Sequence, residues 1–418
     1  MLEGGGQILR NASAMAAITG VSVAVDRIRA KRTRPGLQPQ HLTGLKLVEA
    51  LCGGHLEGGH VGSSNIILRP GTLPCCGGSS FSADTKTAGS CTLMLQVREK
   101  LCERTQKLIL RGGTDADMAP PIAYLTDVLI PLLRNLYGDL LECLDIRRGF
   151  YPRGGGVVTA SVPGLPEGVP LPPLDLTRRG NLSQVVVKTF TAGRVGASVA
   201  KRMAASAEAA VRRTLKDLGP TGRGVPVLVE TVHEPPDRAV GDGCGVLIFA
   251  DTDTGCRIGA SAKGERGVPA EEIGERAAAE LAEALTSGTC VDQWMQDQLI
   301  IWMALASGTS RVRCSEPTLH TRTAMVVAEQ LLPGVKFVLH RPTGHRGQTG
   351  TMATASAVEA EPAGPQPDTH SSKRGGGTTS AARQNGGAGD GEGGGASDGL
   401  WLIECTGAGW TVGRRFGG

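Results

Sequence analysis

The residues with the most chemical potential stand at the starts of two apolar helical stretches. In "EGGGQILR", Glu3 precedes three glycines, and Gln7 and Arg10 follow within about one turn. Glycine amides at a helix start leave N–H groups and the positive end of the dipole free for an anion, and a guanidinium one turn in suits phosphate oxygens. A glycine-rich turn without a ligand satisfies the same spacing. His320, in "EPTLHTRTA", sits where a strand ends and an apolar helical pattern begins. Neutral imidazole there is a competent nucleophile, and it is equally suited to capping or packing. Asp297 and Gln298, in "QDQ" on an otherwise apolar helix, either read the edge of a base or face solvent at a helix turn.

A basic loop, "RIRAKRTRPG", crowds Arg29, Lys31, Arg32 and Arg34 together, as a phosphate-binding fork or as a solvated charge run. Several nucleotide motifs are excluded. No Gly-Lys pair exists to complete a P-loop, and "EGGGQ" lacks the G-x-G-x-x-G spacing of a dinucleotide fold. The G-x-S-x-G match "GASDG" lies in a low-complexity tract with no strand before it, so it is a chance match. "LRGGTDADMAPP" and "FYPRGGGVV" read as turns between ordered elements rather than as disordered RGG tracts.

The elements that must position these residues repeat. "ILRNASAMAAIT" reads as a helix stopped by Gly20, "VSVAVDRI" as a strand, "PQHLTGLKLVEALCGG" as a helix, and the pieces around "HLEGGHVG" and "SNIILRPG" as strands. The order recurs in "AGSCTLMLQVREKLC", "KLILRGG", "PIAYLTDVLIPLLRNLYG", "LLECLDIRRGFY" and "GGGVVTASV". A third copy runs from "VDQWMQDQLIIWMALASG" through "SRVRCS", "LHTRTAMVVAEQLLPG" and "VKFVLH" to "GLWLIECTG". The fold class expected is α/β, with three repeated units of two helices on a mostly four-stranded sheet and one inserted smaller α/β domain. Residues 1–175 hold the first two units, 176–287 the insertion, and 288–343 plus 399–418 the third unit. The tract 344–398 is too poor in apolar residues to offset its ordering entropy and is expected to be a disordered loop.

At 418 residues the chain can bury a sizeable core, and its net charge of +4 is too small by itself to imply a polyanionic partner. Eleven cysteines without C-x-x-C pairs, and no secretory signal, suggest reduced thiols in an intracellular protein. No apolar run approaches the roughly 20 residues of a membrane span, so a soluble chain is expected.

Taken together, "EGGGQILR", "RIRAKRTRPGLQPQHLTGLK", "DTKTAGSCTLMLQ", "GGTDADMAPP", "GFYPRGGG", "DQWMQDQLIIWMALASG" and "TLHTRTA" resemble the RNA 3′-terminal phosphate cyclases over nearly the whole chain except 344–398. The resemblance implies an enzyme similar in logic to a nucleic-acid ligase. A histidine attacks the α-phosphate of ATP, the AMP passes to an RNA 3′-phosphate, and the neighbouring 2′-hydroxyl displaces it to leave a 2′,3′-cyclic phosphate. On this resemblance His320 is the nucleophile, and Gln96, Pro120, Trp294, Met295, Gln296, Asp297 and Gln298 form the adenosine pocket. Gln7, Arg10, Arg29, Arg32 and Gln40 line the phosphate and RNA-end site, and Glu3 meets an ATP-bound divalent metal, magnesium or manganese. The partner implied is RNA ending in a 3′-phosphate, in the nucleoplasm and with no membrane involved.

The chain departs from the family in two places. Family members carry a strand ahead of the "EGGG" run, and they lack an insertion as long as 344–398, although loop closure costs rise slowly with length. Two other functions share the architecture. Cyclase-like ribosome-assembly proteins lack the nucleophilic histidine, and enolpyruvyl transferases close two domains over a small substrate without needing "QDQ".

Overall fold

The computed structural model describes residues 5–71, 80–96, 105–164, 166–342 and 399–412. Glu3 and the 344–398 tract, with the disorder expected of it, lie outside the described residues. The architecture is mixed α/β, with several sheets and covering helices.

Helix α1 (Gly6–Thr19) forms where Leu9, Ala12, Met15 and Ala16 recur at helical spacing and are buried. It ends at Gly20, whose φ of 76° is left-handed. Helix α2 (Pro39–Cys52) follows β1 (Val23–Val25) and precedes β2 (His55–Glu57) and β3 (Ile66–Arg69). These strands form an antiparallel sheet in the order β1-β3-β2.

The next stretch contains β4 (Ser80–Asp84), α3 (Cys91–Gln96), β5 (Gln106–Gly112), α4 (Ile122–Tyr124), α5 (Ile130–Tyr137), β6 (Glu142–Gly149) and β7 (Gly156–Val162). Between α4 and α5 the helix read from sequence as continuous widens into a π-helical turn, Leu125–Leu129. Pro131 explains the widening, because it has no N–H to bond four residues back and its ring crowds that carbonyl.

Strand β8 (Asp175–Leu176) leads into β9 (Leu182–Ala192), α6 (Ala197–Asp217), β10 (Val227–Glu234), β11 (Ala239–Val240), β12 (Gly243–Thr252), β13 (Arg257–Lys263) and α7 (Ala270–Ser287). A four-stranded sheet of order β10-β9-β12-β13 carries α6 and α7 on one face. Val185, Val187 and Ile248 pack there with Met203, Ala207 and Leu281 in a core of their own. Their strand neighbours Val186, Leu247 and Phe249 join the larger core instead, as the two-residue period of a strand requires. Strand β11 leaves this 182–287 module to pair with β6, completing the order β11-β6-β7-β5-β4.

The last stretch holds α8 (Gln293–Leu305), β14 (Ser307–Cys314), α9 (Leu319–Leu331), β15 (Lys336–His340) and β16 (Trp401–Ala408), with sheet order β15-β16-β14-β8. Helix α1 packs against both α2 and α9, and α8 packs against α9. This packing places the start of α1 beside the start of α9 and the second turn of α8. Among the described residues no helix is long and apolar enough to cross a membrane, and the described cysteines carry free thiols.

Candidate active site

The side-chain amide of Gln7, in the first turn of α1, donates to the Asp297 carboxylate at 3.1 Å and to the backbone carbonyl of His320 at 2.8 Å. One side chain thereby ties together α1, α8 and α9. Among the described residues no side chain caps α1 at Gly5, so the first amides of the helix are open to an anion.

Gly6 has a specific reason to be glycine. A Cβ there would lie 2.7 Å from Nε2 of His41, whose ring presses against the helix start. His41 itself is fixed by a capping box, in which its Nδ1 accepts from the Gln38 amide at 3.4 Å. Burial first, then the Arg29 and Arg10 charges, lower the His41 imidazole pKa to about 4, so it sits there neutral. His41 was not among the residues expected from sequence. The signal for it was local, a glutamine followed three residues later by a side chain able to bond back.

Gly6, Arg10, Ser13, Gln40, His41 and Ser90 line a pocket of about 400 Å³, counting its solvent-open part. Arg29 stands close enough to lower the His41 pKa, and its own backbone is left-handed at φ 53°. Arg32 is exposed in the same loop, with its amide bonded to the Arg29 carbonyl at 3.0 Å. The structure thus brings Arg10 and Gln40 to the wall of one pocket, with the Arg29 charge acting on its His41, while Gln7 turns to Asp297 and His320 and Arg32 stays exposed in the basic loop.

Electrostatics favour a neutral histidine beside a retained cation. Partial desolvation, then the Arg10 charge, lower the pKa of the exposed His320 imidazole. Burial lowers the Arg10 pKa as well, and Asp297 opposes that shift. The Asp297 carboxyl is pushed up to about 6, by burial in the first place, with Arg10 pulling the other way.

The 294–298 stretch divides by helical geometry, since five consecutive residues turn through more than a full circle and cannot share one face. Asp297 and Gln298 line a second pocket of about 810 Å³, counting its open mouth, together with Arg10, Asn11, Leu129 and Ala324. Met295 is fully buried in the core, where its side chain packs, and it lines neither of these two pockets. Gln296 is buried as well and bonded within the protein. Its Oε1 accepts from the Thr318 amide and the Thr321 hydroxyl, both at 3.2 Å, and its Nε2 donates to Ser315 at 2.9 Å, which holds the start of α9. Trp294 is half-buried, with its Nε1 donating to Glu280 of α7 at 2.9 Å. Pro120 is buried just before α4, and Gln96 is the last residue of α3.

Two polar atoms at the second pocket are unsatisfied. Asn11 Nδ2 and Gln298 Oε1 are buried without a hydrogen-bond partner among the described residues. The Gln298 amide orientation is set by its Nε2, which donates to the Trp294 carbonyl at 2.8 Å and leaves Oε1 free. A donor without an acceptor and an acceptor without a donor thus lie in the wall of one pocket, beneath its accessible surface. Among the described residues no group of three or more His, Cys, Asp or Glu could hold a metal by itself.

Known proteins are similar to this chain in sequence. A family model described as RNA 3′-terminal phosphate cyclase matches residues 1–339. An RNA 3′-terminal phosphate cyclase of Nitrosospira multiformis is 40% identical over 338 residues, covering 80% of this chain and 90% of its own. One of Pyrobaculum neutrophilum is 38% identical over 342 residues, covering 81% and 93%, and one of Drosophila melanogaster is 36% identical over 339 residues, covering 80% and 90%. With a family match over most of its length and relatives this similar, the chain belongs to the RNA 3′-terminal phosphate cyclase family.

Proposed function

We propose that this protein converts an RNA 3′-phosphate end to a 2′,3′-cyclic phosphate in an ATP-dependent reaction through a covalent His320–AMP intermediate. The observation that carries the reading is the Gln7 bridge, which holds the His320 backbone beside Asp297 while partial burial, and then the Arg10 charge, lower the imidazole pKa. A ring nitrogen of neutral His320 has a lone pair for the α-phosphorus of ATP, and pyrophosphate leaves. An oxygen of the RNA 3′-phosphate then takes the AMP, releasing the histidine. Last, the 2′-hydroxyl attacks the 3′-phosphorus and expels AMP.

The chain's own groups have distinct tasks in this scheme. Arg10, Arg29 and the free α1 amides neutralise phosphate charge, and the pocket with unsatisfied Asn11 and Gln298 takes the base. Ala324, four residues beyond His320, lines that pocket, so base and α-phosphate would be separated along α9 by about 6 Å. A divalent ion, magnesium or manganese, would screen the β- and γ-phosphates, held mainly by those phosphates and by Glu3. We also propose the finer architecture: the sheets β1–β3, β4–β7 and β14–β16 are three versions of one unit, and the 182–287 module is an insertion between the second and third.

His320 argues against the cyclase-like ribosome-assembly reading, which does without a nucleophilic histidine. The test is incubation of the full chain with magnesium and ATP labelled at the α-phosphate. Acid-labile protein-bound AMP is expected, absent from H320N, and transferable to RNA ending in 3′-phosphate but not in 3′-hydroxyl. Equal labelling of H320N would defeat the proposal.

A further inference from the structure

The 182–287 module contacts both the start of α8 and the segment leading into α4, the two stretches that continue into the walls of the second pocket, and the contacts converge on Asp292. This residue caps α8, accepting from the amides of Trp294 and Met295, both at 2.9 Å. Capping needs only those two donors. Asp292 accepts two more: the Tyr124 hydroxyl at 2.7 Å on Oδ1, and the Gly259 amide of strand β13 at 2.8 Å on Oδ2. Tyr124 lies in α4, immediately after Pro120 and Pro121, and is fully buried. Gly259 passes so close to it that a Cβ would lie 2.8 Å from the ring and 2.9 Å from Val128.

Burial pushes the Asp292 carboxyl up to about 6 in spite of these donors. A surface aspartate or serine would cap α8 without that desolvation. The cost makes sense for a junction of three segments, and two further contacts join the same segments. Glu280 of α7 accepts from Trp294 Nε1 at 2.9 Å and from Gln293 at 2.7 Å, while Lys263 at the end of β13 pairs with Asp117, three residues before Pro120.

We infer that the 182–287 module sets the spacing of the nucleotide pocket, with Asp292 and Glu280 as positioning residues that hold α8, which brings Asp297 and Gln298 to that pocket, against the segment after Tyr124, which brings Leu125 and Leu129. The inference rests on the nucleotide reading given above and assigns the module a task within it. None of these groups touches the phosphates, so their loss should loosen the hold on the base and leave the chemical step alone.

The experiment measures protein-bound AMP formation by the full chain against ATP concentration, with magnesium, alongside the thermal midpoint. Tyr124→Phe removes one donor to Asp292 and keeps the ring; Glu280→Ala removes the acceptor for Trp294. Each is expected to raise KM for ATP by about five- to tenfold with kcat within about twofold. Glu280→Gln keeps a carbonyl acceptor and should restore KM to within about twofold of the unaltered chain. A lowered midpoint with unchanged KM in both Tyr124→Phe and Glu280→Ala would mean structural staples only, and would overturn the inference while the nucleotide reading stands. No AMP labelling of the unaltered chain would overturn that reading and this inference with it.

Discussion

Gln7 and Asp297 are separated by 290 positions in the chain, and their side chains meet at 3.1 Å. The contact joins the start of α1 to α8, and the second Gln7 bond, to the His320 carbonyl, extends the joint to α9. Gln7→Ala breaks both bonds at once. A loss of about 1–3 kcal/mol in positioning corresponds to roughly a 5- to 150-fold slower formation of protein-bound AMP. Single-turnover labelling at saturating ATP checks this, and an unchanged rate would remove Gln7 from the site.

The site should lose activity in acid for two reasons that act together. Asp297 takes up a proton as pH falls through about 6, losing the negative charge that faces Arg10, and the lowered His320 pKa delays its own protonation to more acid pH. Arg10→Gln removes a positive charge that lowers both pKa values, so both should rise. The acid limb of the labelling rate is therefore expected at higher pH in the variant. A limb that stays put, or moves down, contradicts the electrostatic role given to Arg10.

Gly6→Ala drives a methyl group into the His41 ring. The ring must leave its place in the capping box, costing about 1–2 kcal/mol of stability by urea unfolding. In the double variant Gly6→Ala, His41→Ala the clash has no partner, so the second substitution should cost less than it does alone. Simple additivity of the two losses would show that the ring is free to move aside.

Asn11→Leu replaces a buried amide that has an unpartnered donor. Removing it should stabilise the fold by about 1 kcal/mol and at the same time weaken ATP binding roughly tenfold, if the base completes that hydrogen bond. Calorimetric unfolding and equilibrium nucleotide binding read the two effects separately. Greater stability with unaltered ATP affinity would place the base elsewhere.

Much of the local structure was legible from residue types. The apolar spacing of Leu9, Ala12, Met15 and Ala16 marks α1, Gly20 ends it, and His320 lies one residue inside the apolar pattern that becomes α9. These are short-range properties: a helix is specified by neighbours three and four positions apart and by the residue that stops it. The motif series from "EGGGQILR" to "TLHTRTA" pointed to the family for the same reason, because each motif is a local run.

The tertiary structure decided which of those runs meet, and which side chains in each run face the meeting point. Nothing local in α1 predicts its packing on α9, so the Gln7 bridge is invisible until both helices are in place. Met295 and Gln296 belong to the same "WMQDQ" run as Asp297 and Gln298, but helix rotation turns the first into the core and commits the second to Thr318 and Thr321. His41 and Asp292 gained their roles from contacts with Gly6 and with Tyr124 and Gly259, across long stretches of chain. Periodicity specifies a face, whereas its partner is chosen by burial and hydrogen-bond satisfaction summed over the whole fold.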